Sequence, residues 1–202
     1  MGFIGKVPTP VPLTSADITD GIISVSKLTS TLDLSSNTVT LPSGVGGKVL
    51  QVVQGTKTDT STISSGFADI GLSAAITPSA SSSKILITCQ ITCTSVASDN
   101  NPISTYLRLL RGSTAISQAD SASSRTLVTT EVGGAYYPDD QTNATITFLD
   151  SPSTTSATTY KIQASDRDLG SGTLYIGRGL NDQDIPQRGR GTSNIVLIEV
   201  GV

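Results

Sequence analysis

One stretch limits what this chain folds into: Lys84–Thr94, KILITCQITCT. Ile85, Ile87, Cys89, Ile91 and Cys93 fall on one side of an extended chain, and Leu86, Thr88, Gln90, Thr92 and Thr94 on the other. A strand with one face in a core gathers that pattern, whereas a helix would scatter it around its axis. Ala144, Ile146 and Phe148 repeat the alternation, as do Tyr160, Ile162 and Ala164, with Thr and Lys between them. These predict strands at Ala144–Leu149 and Thr159–Ala164. Further strands are expected at Val49–Val53, Phe67–Leu72, Thr105–Arg111, Thr114–Gln118, Arg125–Val132, Thr173–Gly177 and Asn194–Val200. Many short strands separated by Gly, Pro and Asp turns predict an all-β fold, an antiparallel β-sandwich of jelly-roll type.

The last of these strands differs from the rest. Ile195 and Leu197 lie on one face, and Val196, Ile198 and Val200 on the other. A strand apolar on both faces needs cover on both. A two-layer sandwich leaves one face wet, so a neighbouring subunit is the expected cover. Val196, Ile198 and Val200 are therefore assigned to a subunit interface, and three copies around a common stem, a homotrimer, are expected. Aromatic residues are 4% of the chain and Trp is absent. Small aliphatics must then build the core, and burial against other subunits would supplement it.

Ahead of the strands lies a different kind of sequence. Pro42-Ser43-Gly44 and Gly46-Gly47 mark a boundary, dividing the chain into an arm and stem over residues 1–45 and a β knob over 46–202. Pro8, Pro10 and Pro12 alternate, which holds the start of the chain extended. Phe3, Ile4, Val7, Val11 and Leu13 have little local core to enter. With Pro8 and Pro10 they are read as a docking arm for a groove on another chain; a loose terminus is the competing reading. Thr14 or Ser15 caps a short helical turn in this reading. Ile18, Ile22, Val25, Thr29 and Leu32 follow the 4-3-4-3 spacing of a coiled-coil seam, although Asp20-Gly21, a turn signal, crosses it. The expectation is a short helical stem that winds copies together through Ile18, Ile22, Val25 and Leu32.

Composition excludes several functions. The chain has no His, so no Ser-His or Cys-His catalytic pair is available. Thirteen basic residues against 16 acidic ones argue against nucleic-acid binding. Cys89 and Cys93 share a strand face about 13 Å apart, four steps of about 3.3 Å, too far for a disulfide, which needs about 7 Å or less. They are expected to be buried free thiols, and no zinc site is expected with so few ligands. No apolar run nears the roughly 20 residues of a membrane span, so no membrane insertion is expected. The start lacks the apolar h-region of a secretory signal.

Carboxylate pairs are the remaining catalytic option: Asp139-Asp140, Asp166/Asp168 and Asp182/Asp184. Glycoside hydrolysis needs two carboxylates about 5–9.5 Å apart across a bond. These aspartates sit in turn contexts, and the chain is read as no enzyme, with no cofactor and no metal. Glycan binding asks for aromatics beside amides and carboxylates. Tyr136, Tyr137, Asp139, Asp140, Gln141 and Asn143 offer that set in one loop, and a subunit interface is the competing role for the tyrosines. Ser98–Asn101 and Leu180–Asp184 are secondary glycan candidates. Arg178, Arg188 and Arg190 are expected to pair with Asp166, Asp168, Asp182 or Asp184.

Several stretches together carry a family resemblance. GKVPTPVPLTSADITDGIIS resembles the N-terminal anchors of virion structural and tail-fibre proteins of marine bacteriophages, especially those infecting cyanobacteria. GGKVLQVVQ, AAITPSASSSKILIT, FLDSPSTTSATTYKIQA, TLYIGRG and RGRGTSNIVLIEV resemble a C-terminal module of such proteins. The resemblance implies a β-rich homotrimer, bound by its N-terminus to a phage tail, baseplate or adaptor protein and exposed to the extracellular medium. It implies a short tail fibre whose distal knob recognises a host-surface glycan. A capsid decoration or head fibre with no receptor role is the alternative.

Overall fold

The structure, a computed structural model, describes residues 49–201. The docking-arm residues Phe3, Ile4, Val7, Pro8, Pro10, Val11 and Leu13 lie outside that range, as do the stem residues Ile18, Ile22, Val25 and Leu32. Every regular element among the described residues is a strand. In chain order these are β1 (Val49–Lys57), β2 (Ser61–Ile63), β3 (Ala68–Ile76), β4 (Lys84–Val96), β5 (Pro102–Ile103) and β6 (Thr105–Arg111). They continue as β7 (Thr114–Ile116), β8 (Thr130–Val132), β9 (Thr142–Asp150), β10 (Thr158–Asp166), β11 (Thr173–Ile176) and β12 (Ser193–Val200).

All pairings are antiparallel, and they form two sheets. The larger, seven-stranded sheet runs β1-β12-β4-β11-β2, with β9 and β5 also on β4. The smaller, five-stranded sheet runs β3-β10-β6-β7, with β8 also on β6. One core joins them. Ile85, Ile87, Cys89, Ile91, Ile195 and Leu197 from the larger sheet meet Ile70, Leu72, Leu107, Leu109, Tyr160 and Ile162 from the smaller. The alternation in Lys84–Thr94 thus marks the inward face as expected. Cys89 and Cys93 are free and buried in this core. Loss of solvent pushes the Cys89 thiol up to about 12.

Differences from expectation have local causes. Only Thr130–Val132 of the expected strand Arg125–Val132 pairs. The segment before it bonds irregularly across β6: Thr129 N donates to Leu107 O, while Leu109 N donates to Thr129 Oγ1. Strand β3 begins after Phe67 and runs on to Ile76, through residues expected to lie in a connection. The two- and three-residue strands β5 and β2 are too short to show a period. Thr92 and Thr94, on the outward face of β4, are 7% and 1% exposed, because loops close over that end of the strand.

A polar clamp ties the sheets together at the other end. Asp150 is the last residue of β9 and is 6% exposed. The fully buried Tyr160 of β10 donates its hydroxyl to Asp150 Oδ2 at 2.6 Å. Arg111 Nη1, at the end of β6, donates to both carboxylate oxygens at 3.0 and 2.9 Å. One carboxylate of the larger sheet therefore holds two side chains of the smaller. Burial and the adjacent Asp150 charge both raise the Tyr160 pKa, so the phenol stays a donor.

Candidate functional site

Two surfaces stand out, and the first is apolar. The register aligns Val52 with Ile198, Ile198 with Leu86, and Leu86 with Leu149. Four aliphatic side chains thus cross β1, β12, β4 and β9 in one row on the outer face of the larger sheet. Val52 is 59% exposed and Leu149 50%. Val196 and Val200 flank the row on β12, and both are half-buried, as is Ile198. The next row reads Gln54, Val196, Thr88, Thr147, so the face turns polar two residues along. The doubly apolar final strand is therefore one column of a wider patch. Sequence reasoning missed Val52, Leu86 and Leu149. The signal was a break in alternation: Leu86 is the one aliphatic on the outward side of Lys84–Thr94, and Leu149 follows Phe148 directly.

The second surface is the pair of loops 136–143 and 178–192, which the structure brings together. Tyr136 and Tyr137 are exposed and meet edge to face, ring centres 4.6 Å apart. The polar residues behind them have other duties. Asp139 Oδ1 accepts from Asn181 N at 2.9 Å, and Asp139 Oδ2 accepts from Asn181 Nδ2 at 3.1 Å and pairs with Arg188 at 2.8 Å. Partial burial works against the charged form of Asp139, but the Asn181 hydrogen bonds and the Arg188 charge outweigh it and hold the carboxyl below its usual range. Gln141 Nε2 donates to Gly189 O at 2.9 Å. Asn143 Oδ1 accepts from Thr92 Oγ1 at 2.9 Å, and the Asp140 carbonyl accepts from Thr94 Oγ1. Of the expected glycan set, Asp139 and Gln141 are thus latches between the two loops, and Asn143, in β9, bonds its cross-strand neighbour Thr92 of β4. Tyr136, Tyr137 and the Asp140 side chain remain presented to solvent.

Glycine makes the latch possible at two points. A Cβ on Gly179 would run into the Asp139 backbone, and one on Gly191 into the Thr92 side chain. Gly179→Ala is expected to cost about 1–3 kcal/mol by forcing the loops apart. The readout is hydrogen exchange of the Asn181 amide, which should lose protection; unchanged protection would count against the latch.

The other polar candidates are dispersed. Asp166 is fully buried and its Oδ2 accepts from Gly170 N at 2.8 Å, capping the turn after β10. Asp99 binds the backbone and side chain of Asn101 within its own turn. Arg190 pairs with Asp182 at 2.7 Å, as one of the expected options had it. Arg188 instead takes Asp139, and among the described residues Arg178 pairs with no carboxylate. Its guanidinium lies 4.3 Å over the Tyr175 ring and donates to Gly179 O, Leu180 O and Thr62 Oγ1. Among the described residues no three His, Cys, Asp or Glu side chains group as metal ligands, and no helix is long and apolar enough to cross a membrane. Neither a protein-family model nor a curated protein matches this chain.

Proposed function

We propose that this chain is a non-enzymatic virion structural protein of a marine bacteriophage: a short, homotrimeric tail fibre. In this reading residues 1–45 dock on a tail, baseplate or adaptor protein. The β knob faces the medium and meets a host-surface glycan, and the knob is a jelly roll. Strand order supports that last point, since β1-β12-β4-β9 and β3-β10-β6-β7 interleave as the two sheets of a jelly roll do.

The observation that carries the assembly is the aliphatic row Val52–Ile198–Leu86–Leu149. Water contact along such a row is unfavourable by about 25 cal/mol per Å² of apolar surface, and burial against a second copy removes it. Full-length protein is expected to scatter light as a trimer. Val52→Glu combined with Leu149→Glu places charges on exposed positions and should give a folded monomer or a trimer weakened at least tenfold. A wild-type monomer, or a variant trimer of unchanged stability, would remove the basis for this assembly.

Host recognition is tested separately, by competition of the purified protein with phage for adsorption to host cells. Immunogold labelling of intact particles locates the chain. A second reading, a capsid decoration or head fibre, draws support from Asp139 and Gln141, which the loop latch occupies. Labelling on the head with no competition would favour it.

A further inference from the structure

On the outer side of the smaller sheet lies a cavity of about 510 Å³, lined by Phe67, Arg108, Gln118, Arg125, Leu127 and Leu169 among others. That volume is within the usual range of small-molecule sites. Among the described residues its lining holds two arginines and no carboxylate, on a chain whose formal net charge is −3. Arg108 interrupts the apolar run of β6, YLRLLR. Its guanidinium lies 3.6 Å over the Phe67 ring, and its Nε donates to Leu127 O at 2.9 Å. Gln118 Nε2 donates to the same carbonyl at 3.2 Å, which closes the loop over the strand. Among the described residues neither Arg108 nor Arg125 forms an ion pair, whereas Arg111, Arg167, Arg188 and Arg190 each do. Partial burial also lowers the Arg108 pKa.

A held guanidinium whose Nη donors have no partner among the described residues is a preorganised carboxylate receptor, and a second arginine beside it adds reach. Phe67, Leu127 and Leu169 supply apolar wall for the C–H face of a sugar ring. Gln118 and Thr126 supply polar atoms for hydroxyls. We propose that this cavity binds an acidic saccharide, with Arg108 and Arg125 taking the carboxylate of a hexuronic acid and the apolar wall taking its ring. This names a ligand class for host-surface recognition and rests on that reading for the biological source of the sugar. It places recognition on the smaller sheet, apart from the tyrosine loop.

The test is calorimetric titration of the full-length chain with a short oligoglucuronate, a neutral glucose oligomer of equal length, and inorganic phosphate. The oligoglucuronate should bind at least tenfold more tightly than either control. Arg125→Ala, at an exposed loop position, should weaken it at least tenfold with unchanged melting temperature. Arg108→Lys keeps the charge but loses the planar fork, and should weaken it at least fivefold. No saturable binding of oligoglucuronate, equal binding of the neutral oligomer, equal binding of phosphate, or an unaffected Arg125→Ala variant would each overturn the assignment. Binding in solution without any effect on host adsorption would retain the saccharide site and overturn the tail-fibre role, so the two failures are distinguishable.

Discussion

Asp150→Ala is expected to lower the stability of the sandwich by about 3 kcal/mol, a large share of the 5–15 kcal/mol typical of a domain. The cause is the loss of a shared acceptor. Tyr160 would keep a fully buried hydroxyl with no partner, and Arg111 would lose both of its carboxylate contacts. Tyr160→Phe removes the orphaned donor along with the bond and should cost less, about 1 kcal/mol. The double variant should then fall short of the sum of the two single changes, because both act on one network. Chemical denaturation of the four proteins closes this cycle. Strict additivity would mean that the clamp between β9, β10 and β6 is not a coupled unit.

The second large effect is one of pH. Glu199 on β12 is fully buried and accepts from Ser79 N at 2.7 Å, Ser79 Oγ at 2.6 Å and Gln51 Nε2 at 2.6 Å. Desolvation opposes its charge, but the hydrogen bonds outweigh that and bring the pKa from 4.5 down to about 2. A depressed carboxyl contributes stability that is present in full above its unfolded value and is lost as pH falls through its folded value. Glu199→Gln is expected to be less stable by about 2 kcal/mol at pH 7, since an amide brings a donor to a site built of donors. The gap should narrow from pH 4.5 downward and nearly close at pH 2. Asp59, Asp69, Asp99 and Asp139 are lowered too, but they titrate alike in both proteins and cancel in the difference. A gap of the same size at pH 7 and pH 2 would show that the Glu199 charge is not what these donors hold.

The candidate surfaces differ in how much of them was legible beforehand. The tyrosine loop was found from residue types alone, since aromatics beside amides form a local pattern. What the local pattern did not show is that Asp139, Gln141 and Asn143 have partners, Asn181, Gly189 and Thr92, that lie 42, 48 and 51 residues away in sequence. One member of the apolar row, Ile198, was visible, because it sits with Val196 and Val200 on the outer face of one strand. Its other members belong to β1, β4 and β9, and only the register shows that they line up. The arginine cavity left a faint trace, a charged residue inside the apolar strand β6, but its wall comes from the loop that was expected to be a strand.

Strand content and the inward-facing residues followed from the chain alone. Alternation is a property of neighbours along the backbone, and an apolar side chain enters whatever core is available. Residues 85–93 could be assigned to a core face before any partner strand was known. What each outward or polar residue does was decided by folding. A carboxylate becomes a clamp, a loop latch or a solvated charge according to which donors other segments bring to it. Asp150 and Asp139 are the same residue type, yet one joins two sheets and the other joins two loops. That distinction rests on register and loop docking, which no local pattern encodes.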